Sequence, residues 1–334
     1  MRFLPLLFLS ALILRAATHQ VVPGKYYRTF AHTNAVLKRI QPGDVVVTKT
    51  LDSGGQDYRG EQAAPGSNPL TGPFYVEGAE AGDALAVKLT KVRLNRNWGS
   101  TAYRLGLFSL MPEYVETIYP NQYKADVVRK GRSNVLPWDI DLAKGTVHLR
   151  EPVSSKVKLE FPAKPMLGCI GVAAAGDWAP TSGPAGPYGG NLDYNEIGEG
   201  ATVILPVTHA GGLLYLGDGH ALMADGEPTG TGVETSMDVE FSVTVLKNSA
   251  VTGPRVENAE YLISLGAQPE FVSSLDQGLR MATTDMARWL VRDYGLEPWA
   301  AHQLIGAVGK YDVVTVAGTV ALKVPRTYLG KPVN

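Results

Sequence analysis

The feature that most constrains the fold is the stretch of residues 213–234, LLYLGDGHALMADGEPTGTGVE, where an apolar strand-like run ends in glycines, carboxylates and a histidine. Because alternate side chains of an extended backbone point the same way, Asp218 and His220 are expected to share one face, and Asp225 and Glu227 another. The glycines permit tight turns or a close approach to a small ligand. The stretch therefore predicts a strand that ends in a polar site.

An imidazole beside carboxylates is a ligand set that suits a borderline divalent metal such as zinc. Asp218 and His220 are the first candidate ligands, and Asp225 and Glu234 extend the acidic cluster around them. The alternative is a β-hairpin whose acidic turn faces water, since short clusters of His and Asp also occur without a metal. The spacing alone leaves both interpretations open.

The composition is typical of a folded chain with a large core, because 45% of the 334 residues are apolar and 19% are charged. The 31 Lys and Arg residues are balanced by 32 Asp and Glu residues. This balance provides no electrostatic attraction to nucleic acid or to an anionic membrane. We therefore expect a small neutral substrate, or none.

Two turns, at residues 41–44 and 82–83, each precede an apolar run and predict two β-hairpins. Antiparallel pairing in the first hairpin would bring His32 and Asp52 to the same end of the sheet, where both are candidate metal ligands. Glu77 follows the apolar residues 74–76, which would desolvate its carboxyl and raise its pKa toward that of a general base. The alternative for Glu77 is a turn residue that accepts backbone N–H bonds.

The pattern changes after residue 254. Apolar residues at helical spacing predict a helix over residues 274–294, with Ser274 as the N-cap and Gly295 as the end, and a second helix over residues 298–308. The predicted fold is mainly β, with a sandwich or barrel-like core and a smaller α-helical C-terminal portion. We divide the chain into residues 1–17, a β-rich catalytic core of residues 18–255, and a helical portion of residues 256–334.

Residues 1–17 begin with a basic residue, continue as a short apolar run and end in small residues, which predicts a secretory signal peptide. We therefore expect an exported protein, periplasmic or secreted, with a cytoplasmic location as the alternative. The apolar run is too short for a stable membrane anchor. Cys169 is the single cysteine, which excludes an intramolecular disulfide and favours a small buried residue or a thiol that lines the site.

Several long strings resemble the acetamidase/formamidase family of amide hydrolases. They are PGDVVVTKTLDSGG, TGPFYVEGAEAGDALAV, SGPAGPYGGNLDYNEIGEGATVILPV, and LGDGHALMADGE with GTGVE, and the resemblance runs from about residue 30 to residue 324. It implies a β-rich, metal-dependent hydrolase that releases ammonia from small amides; some relatives act on lactams. One departure is that Met223 and Ala224 stand where such proteins commonly have Gln-Gly, which puts the choice of substrate in doubt.

The resemblance and the residue types together give one hypothesis for the site. A divalent metal, with zinc expected, would activate a water that hydrolyses the C–N bond of a small linear amide. We also expect a homo-oligomer, with no nucleic acid partner and no membrane contact after signal removal. The candidate residues are Glu77 or Glu227 as base, Asn191 at the oxyanion, His32, Asp52, Asp218 and His220 as metal ligands, Gly190, Cys169 and Met223 at the substrate, and Asp225 and Glu234 in the acidic cluster.

Two alternatives belong to other classes. An exported amide-binding or structural protein could keep the fold without the chemistry, and the change at Met223 motivates this hypothesis. A cysteine-dependent amidase would use Cys169 as its nucleophile, with His220 as the base that generates the thiolate.

Overall fold

A computed structural model describes residues 16–102, 105, 109–111, 113–114, 135–150, 155–249, 251–268 and 274–333. The predicted signal peptide, apart from its last two residues, lies outside this part of the chain. The strands, numbered β1 to β20 in chain order, are Thr18–Gln20, Lys38–Ile40, Val45–Lys49, Leu70–Val76, Ala84–Leu94, Trp98–Ala102, Val135–Asp141, Thr146–Leu149, Glu160–Pro162, Met166–Gly171, Ala185–Gly186, Gly189–Asn191, Thr202–Pro206, Leu214–His220, Glu234–Thr235, Met237–Leu246, Arg255–Glu257, Tyr261–Gly266, Lys310–Thr315 and Thr319–Pro325.

Two helices, α1 (Leu275–Tyr294) and α2 (Pro298–Val308), follow β18. The side chain of Ser274 caps α1 by accepting a hydrogen bond from the backbone N–H of Gln277, and Gly295 ends the helix in a left-handed conformation. The predicted limits of this helix are therefore confirmed. Among the residues that the structure places, no helix is both long and apolar enough to span a bilayer.

The strands form two sheets that pack face to face. The first sheet has the order β1-β3-β16-β5-β13-β17-β18-β20-β19, and the second has β11-β12-β10-β14-β15-β6-β7-β8-β9, with β4 and β2 added beside β14. Phe74 of the second sheet meets Phe241 of the first, edge to face, with ring centroids 5.2 Å apart. Both sheets are open rather than closed barrels, so the predicted mainly β fold with C-terminal helices is confirmed.

The burial pattern of β16 shows why this segment forms a strand with one face against the core between the sheets. Met237, Val239, Phe241 and Val243 alternate with partly exposed residues, and all four are buried in the core between the sheets. Burying an apolar side chain of this size contributes about 1.5–3 kcal/mol. The opposite face of the first sheet is covered by α1, which packs Met286, Trp289 and Leu290 into a second apolar cluster.

The two turns that contain Gly43 and Gly82 have the same construction. Both glycines have positive φ, 90° and 96°, and the aspartate after each, Asp44 or Asp83, accepts a hydrogen bond from the backbone N–H three residues earlier. Each turn carries the chain from the second sheet to the first, because β2 and β4 lie in the second sheet and β3 and β5 in the first. The predicted hairpins are therefore wrong: the turns join layers and not paired strands.

Strands β17 to β20 continue the first sheet beyond residue 255. The division into a catalytic core and a C-terminal portion stays a prediction. For the site, the important strands are β10, β12, β14 and β15, which lie side by side in the second sheet.

Candidate metal centre

Strand register brings His220 and two carboxylates together. Strand β15 runs antiparallel to β14 and places Glu234 opposite His220. The Nε2 atom of His220 lies 3.1 Å from Oε1 of Glu234 and 3.6 Å from Oδ1 of Asp218. All three residues are buried. The expected proximity of Asp218 and His220 is observed, although Asp218 itself departs from the extended conformation, with φ of 56°.

Two further carboxylates reach the same histidine from other segments. Asp193 lies two residues beyond the end of β12, and its Oδ1 atom is 3.9 Å from Nε2 of His220. Glu227 lies in the loop after β14, and one ligand atom each of Asp193, His220 and Glu227 lie within 4.8 Å of one another. We refer to these five residues as the acid–histidine cluster: Asp193, Asp218, His220, Glu227 and Glu234.

The backbone is strained at three members of the cluster. Asp193, Asp218 and Glu227 have φ values of 44°, 56° and 45°. Residues other than glycine rarely adopt this left-handed backbone conformation. Such conformations concentrate at functional sites, where the surrounding structure enforces them. The strain fits carboxylates that are held in a required position.

The cluster concentrates negative charge in a buried place. Burial raises the pKa of Glu227 to about 8 and that of Glu234 to about 7, while His220 opposes both shifts. Burial and the neighbouring Glu227 raise the pKa of Asp193. Burial alone would lower the pKa of His220, but Glu234 and Asp218 raise it well above its usual value. In the described ranges, no lysine or arginine forms an ion pair with these carboxylates.

The cluster residues fit a divalent cation. Asp193 Oδ1, Asp218 Oδ1 and Glu234 Oε2 are buried without a hydrogen-bond partner, a rare condition that a bound ion would relieve. The contacts of 3.1, 3.6 and 3.9 Å from His220 Nε2 to carboxylate oxygens bracket the ligand separation of a tetrahedral zinc site, about 3.3 Å for bonds of about 2.05 Å. The donor set of one imidazole and several carboxylates is suited to zinc and to similar ions.

Two predicted site residues, Cys169 and Asn191, lie directly beside the cluster. They face each other across strands β10 and β12, and the Cys169 thiol donates a hydrogen bond to Oδ1 of Asn191 at 2.8 Å. The amide nitrogen of Asn191 donates to Oδ2 of Asp193. The oxygen and the nitrogen of the Asn191 side-chain amide therefore both have hydrogen-bond partners. The role of Asn191 at an oxyanion stays a prediction.

Glu77 lies on the surface and outside the cluster. Its carboxylate pairs with Arg39 at 2.6 Å, and this hydrogen bond lowers the pKa of Glu77. The predicted desolvation is therefore wrong, because the side chain points to the guanidinium and not into the apolar layer. This geometry removes the basis for proposing Glu77 as the general base.

His32 and Asp52 do not join the cluster either. The ring of His32 stacks on His209 with centroids 4.5 Å apart, and its side chain is 30% exposed. Asp52 is buried, but its carboxylate binds Arg96 at 2.7 Å and the backbone N–H of Gln56. The hairpin that was expected to bring His32 and Asp52 together does not form, and each has its own partner.

The remaining predicted residues differ in burial and in their surroundings. Asp225 is exposed and accepts a hydrogen bond from Asn195, outside the cluster. Met223 is buried. Gly190 lies in β12 with φ of 98°, and a Cβ there would meet the carbonyl oxygen of Pro184 at 2.7 Å. Their predicted roles at the substrate stay predictions.

Sequence reasoning missed three residues that shape the centre. Asp193 stands two positions after Asn191 within the glycine-rich loop, a signal that could have been followed. The amide of Asn68 donates to Oδ2 of Asp218 at 3.1 Å and to Oδ1 of Asn191 at 2.9 Å. Gly168 has no local signal: a Cβ at this position would lie 2.4 Å from Asp193 Oδ1 and 2.7 Å from Asp218 Oδ2.

Comparison with known proteins supports the resemblance found in the sequence. The sequence model of the Acetamidase/Formamidase family matches residues 172–276. A Schizosaccharomyces pombe protein named "Putative formamidase" is 26% identical in an alignment of 255 positions that covers 63% of this chain and 61% of that relative. This chain thus spans less than two thirds of the yeast relative.

Solved structures match over nearly their full length. The crystal structure of acetamidase from Yersinia enterocolitica has a TM-score of 0.74 and 27% identity, covering 95% of this chain and 94% of that chain. A predicted acetamidase/formamidase from Thermoanaerobacter tengcongensis has a TM-score of 0.73 and 29% identity, covering 94% and 97%. The predicted family resemblance is confirmed.

Proposed function

We propose that this chain, as a relative of the acetamidase/formamidase family, is an amidase that hydrolyses a carbon–nitrogen bond other than a peptide bond. The substrate that we propose is a small linear amide resembling acetamide or formamide, cleaved to a carboxylate and ammonia. The family resemblance supports amide hydrolysis, and the cluster geometry supports a metal-dependent route. The neutral overall charge agrees with a neutral substrate.

The observation that carries the metal-dependent route is the set of unpartnered carboxylate oxygens on Asp193, Asp218 and Glu234 around Nε2 of His220. We propose that Asp218, His220 and Glu234, with Asp193 beside them, hold a divalent cation, and that zinc is the ion. A cation of this kind lowers the pKa of water and polarises the substrate carbonyl. The buried walls of the site exclude bulk water and strengthen these electrostatic effects.

Glu227 is the residue that we propose for proton transfer. It is less deeply buried than the other cluster members, so its carboxylate can meet both the cluster and an incoming substrate. Burial raises the pKa of its carboxyl, which favours a group that takes a proton and later returns it. Glu227 would accept the proton of the attacking water and deliver it to the amine as the carbon–nitrogen bond breaks.

The geometry does not favour a cysteine nucleophile. Cys169 is fully buried, and burial, with the neighbouring Asp218 and Asp193, raises the pKa of its thiol well above the usual value. Its hydrogen-bond contacts are to oxygen atoms of Asn191, Ser182 and Asp218 and to the Asn68 amide. A thiolate is therefore disfavoured at this position.

The test is ammonia release from formamide, acetamide, propionamide and a γ-lactam, before and after chelation and again after addition of zinc. We expect turnover that disappears with chelation and returns with zinc. The variant Glu234→Gln should lose zinc and turnover together, whereas Asp225→Asn, outside the cluster, should keep both. Turnover that survives complete metal removal would contradict the metal-dependent route. Bound zinc without ammonia release from any substrate would favour the amide-binding alternative.

Export and self-association stay part of the proposal. The basic start, apolar run and small residues of positions 1–17 support export, and cell fractionation of the tagged full chain tests it. Recovery of the uncleaved chain in the cytoplasm alone would contradict export. Light scattering of the purified protein tests the expected homo-oligomer.

A further inference from the structure

Each of two cluster aspartates has one satisfied and one unsatisfied oxygen. Oδ2 of Asp218 accepts a hydrogen bond from the Asn68 amide at 3.1 Å, and Oδ2 of Asp193 accepts one from the Asn191 amide. The Oδ1 atoms of both aspartates are buried without a partner and face Nε2 of His220, at 3.6 and 3.9 Å. In both carboxylates, therefore, an asparagine amide binds Oδ2 and Oδ1 is left to face His220.

The hydrogen-bond pattern determines which way each amide points. Oδ1 of Asn191 accepts from the Asn68 amide at 2.9 Å and from the Cys169 thiol at 2.8 Å. A flipped Asn191 would direct its NH2 group at two donors and its oxygen at the Asp193 carboxylate. A flipped Asn68 would direct its oxygen at two acceptors. Only the observed orientation gives every donor an acceptor.

We propose that Asn68 and Asn191 are positioning residues that turn the free oxygens of Asp218 and Asp193 toward the cation, and that the Cys169 thiol sets the orientation of the Asn191 amide. This inference rests on the proposed function, because it concerns the same centre. Groups that orient metal ligands commonly change metal affinity by about 10- to 100-fold when they are removed. Cys169 thereby acts as a hydrogen-bond donor and not as a nucleophile.

The test compares two variants at one position. Cys169→Ser keeps a donor toward Asn191, and Cys169→Ala removes it. The readouts are the zinc dissociation constant, measured by competition with a chromophoric chelator, and the absorption spectrum of the protein loaded with Co²⁺. We expect Cys169→Ala and Asn191→Leu to weaken zinc binding by about 10- to 100-fold and to alter the Co²⁺ spectrum, and Cys169→Ser to retain both wild-type properties.

A matched control is available at another hydrogen bond between an asparagine and an aspartate. Asn195 donates to Asp225 at 2.6 Å outside the cluster, so Asn195→Leu should leave zinc affinity and the Co²⁺ spectrum unchanged. Circular dichroism of the metal-free variants establishes that they are folded. If Asn191→Leu does not fold, the Ser and Ala variants of Cys169 decide the question.

The outcomes separate this inference from the proposed function. Wild-type affinity and spectrum in Cys169→Ala, and in any folded Asn191→Leu or Asn68→Leu variant, would overturn the positioning role. Weakened zinc binding in these variants of a protein that releases no ammonia would support the positioning role and contradict amide hydrolysis. A wild-type protein that binds neither zinc nor Co²⁺ would overturn both.

Discussion

A methyl group at Gly168 is expected to disturb the acid–histidine cluster more than the fold. The backbone of Gly168 is not in the left-handed region, so Gly168→Ala introduces no conformational strain of the main chain. The new Cβ would lie 2.4 Å from Asp193 Oδ1 and 2.7 Å from Asp218 Oδ2, whereas real Cβ contacts are essentially never below 3.0 Å. The Asp193 oxygen must move back from 2.4 to at least 3.0 Å, about 0.6 Å, and overpacking of this kind costs about 1–3 kcal/mol of stability.

The same displacement should weaken the function strongly. Asp193 Oδ1 and Asp218 Oδ2 are at the ends of side chains that we propose for cation binding. These side chains are expected to move, while the backbone of the strand stays in place. Since a misplacement of 1 Å costs about 100-fold in rate, we expect zinc affinity and ammonia release to fall about 10- to 100-fold. The assay is zinc competition with a chelator, followed by ammonia release at saturating zinc.

The control is Gly306→Ala in α2, where a Cβ would meet no atom within 4 Å. This variant should gain up to about 1 kcal/mol of stability, because alanine is the better helix former, and keep its metal affinity. Zinc affinity and turnover within twofold of wild type in a folded Gly168→Ala protein would refute the reasoning, since the carboxylate positions would then not matter.

Three further predictions concern other residues. Glu227→Gln should lower kcat for ammonia release about 10²- to 10⁴-fold while Glu77→Gln leaves it unchanged, and equal losses would contradict the choice of base. Burial acts to raise the pKa of Asp83, but its hydrogen bonds outweigh burial, so the net pKa lies below the usual value. The ionised Asp83 therefore stabilises the folded protein above the unfolded pKa of about 3.9, and this contribution is lost as pH falls through the folded pKa. Urea unfolding should show that Asp83→Asn destabilises the protein more at pH 7 than at pH 3, and equal losses would be inconsistent with this. Asp285→Ala should cost about 3–5 kcal/mol in the same assay, because the buried guanidinium of Arg255 would exchange its two bonds to Asp285, at 2.7 and 2.8 Å, for the longer contact to Asp293 at 3.8 Å. Adding Arg255→Met to Asp285→Ala should restore part of the lost stability. A cost below about 1 kcal/mol for Asp285→Ala alone would mean that another group compensates the charge of Arg255.

The predictions that succeeded rest on local chemistry. The limits of α1 follow from a hydroxyl that caps the first turn and a glycine that tolerates positive φ, both within the helix ends themselves. The nearness of Asp218 and His220 follows from their separation by only two residues, although Asp218 leaves the extended conformation. Such features depend on neighbours a few positions apart, which the sequence displays directly.

The predictions that failed depend on partners far along the chain. Glu77 is paired with Arg39 and Asp52 with Arg96, contacts that no local pattern indicates. The turn at Gly43 was correctly located, but its flanking strands enter different sheets. Strand pairing is decided by the burial of whole faces between layers, and a turn alone does not determine it.

The sequence by itself determined a β-rich fold with C-terminal helices, a polar site after the strand that ends at His220, and a family resemblance. Only the tertiary structure decided which carboxylates meet that histidine. Glu234 arrives through the register of β14 with β15, and Asp193 through the neighbouring strands, at a place where the absent side chain of Gly168 leaves room for it. The physical reason is that a cluster of side chains from different strands is a set of distances across the sheet, and those distances exist only once the sheet has formed.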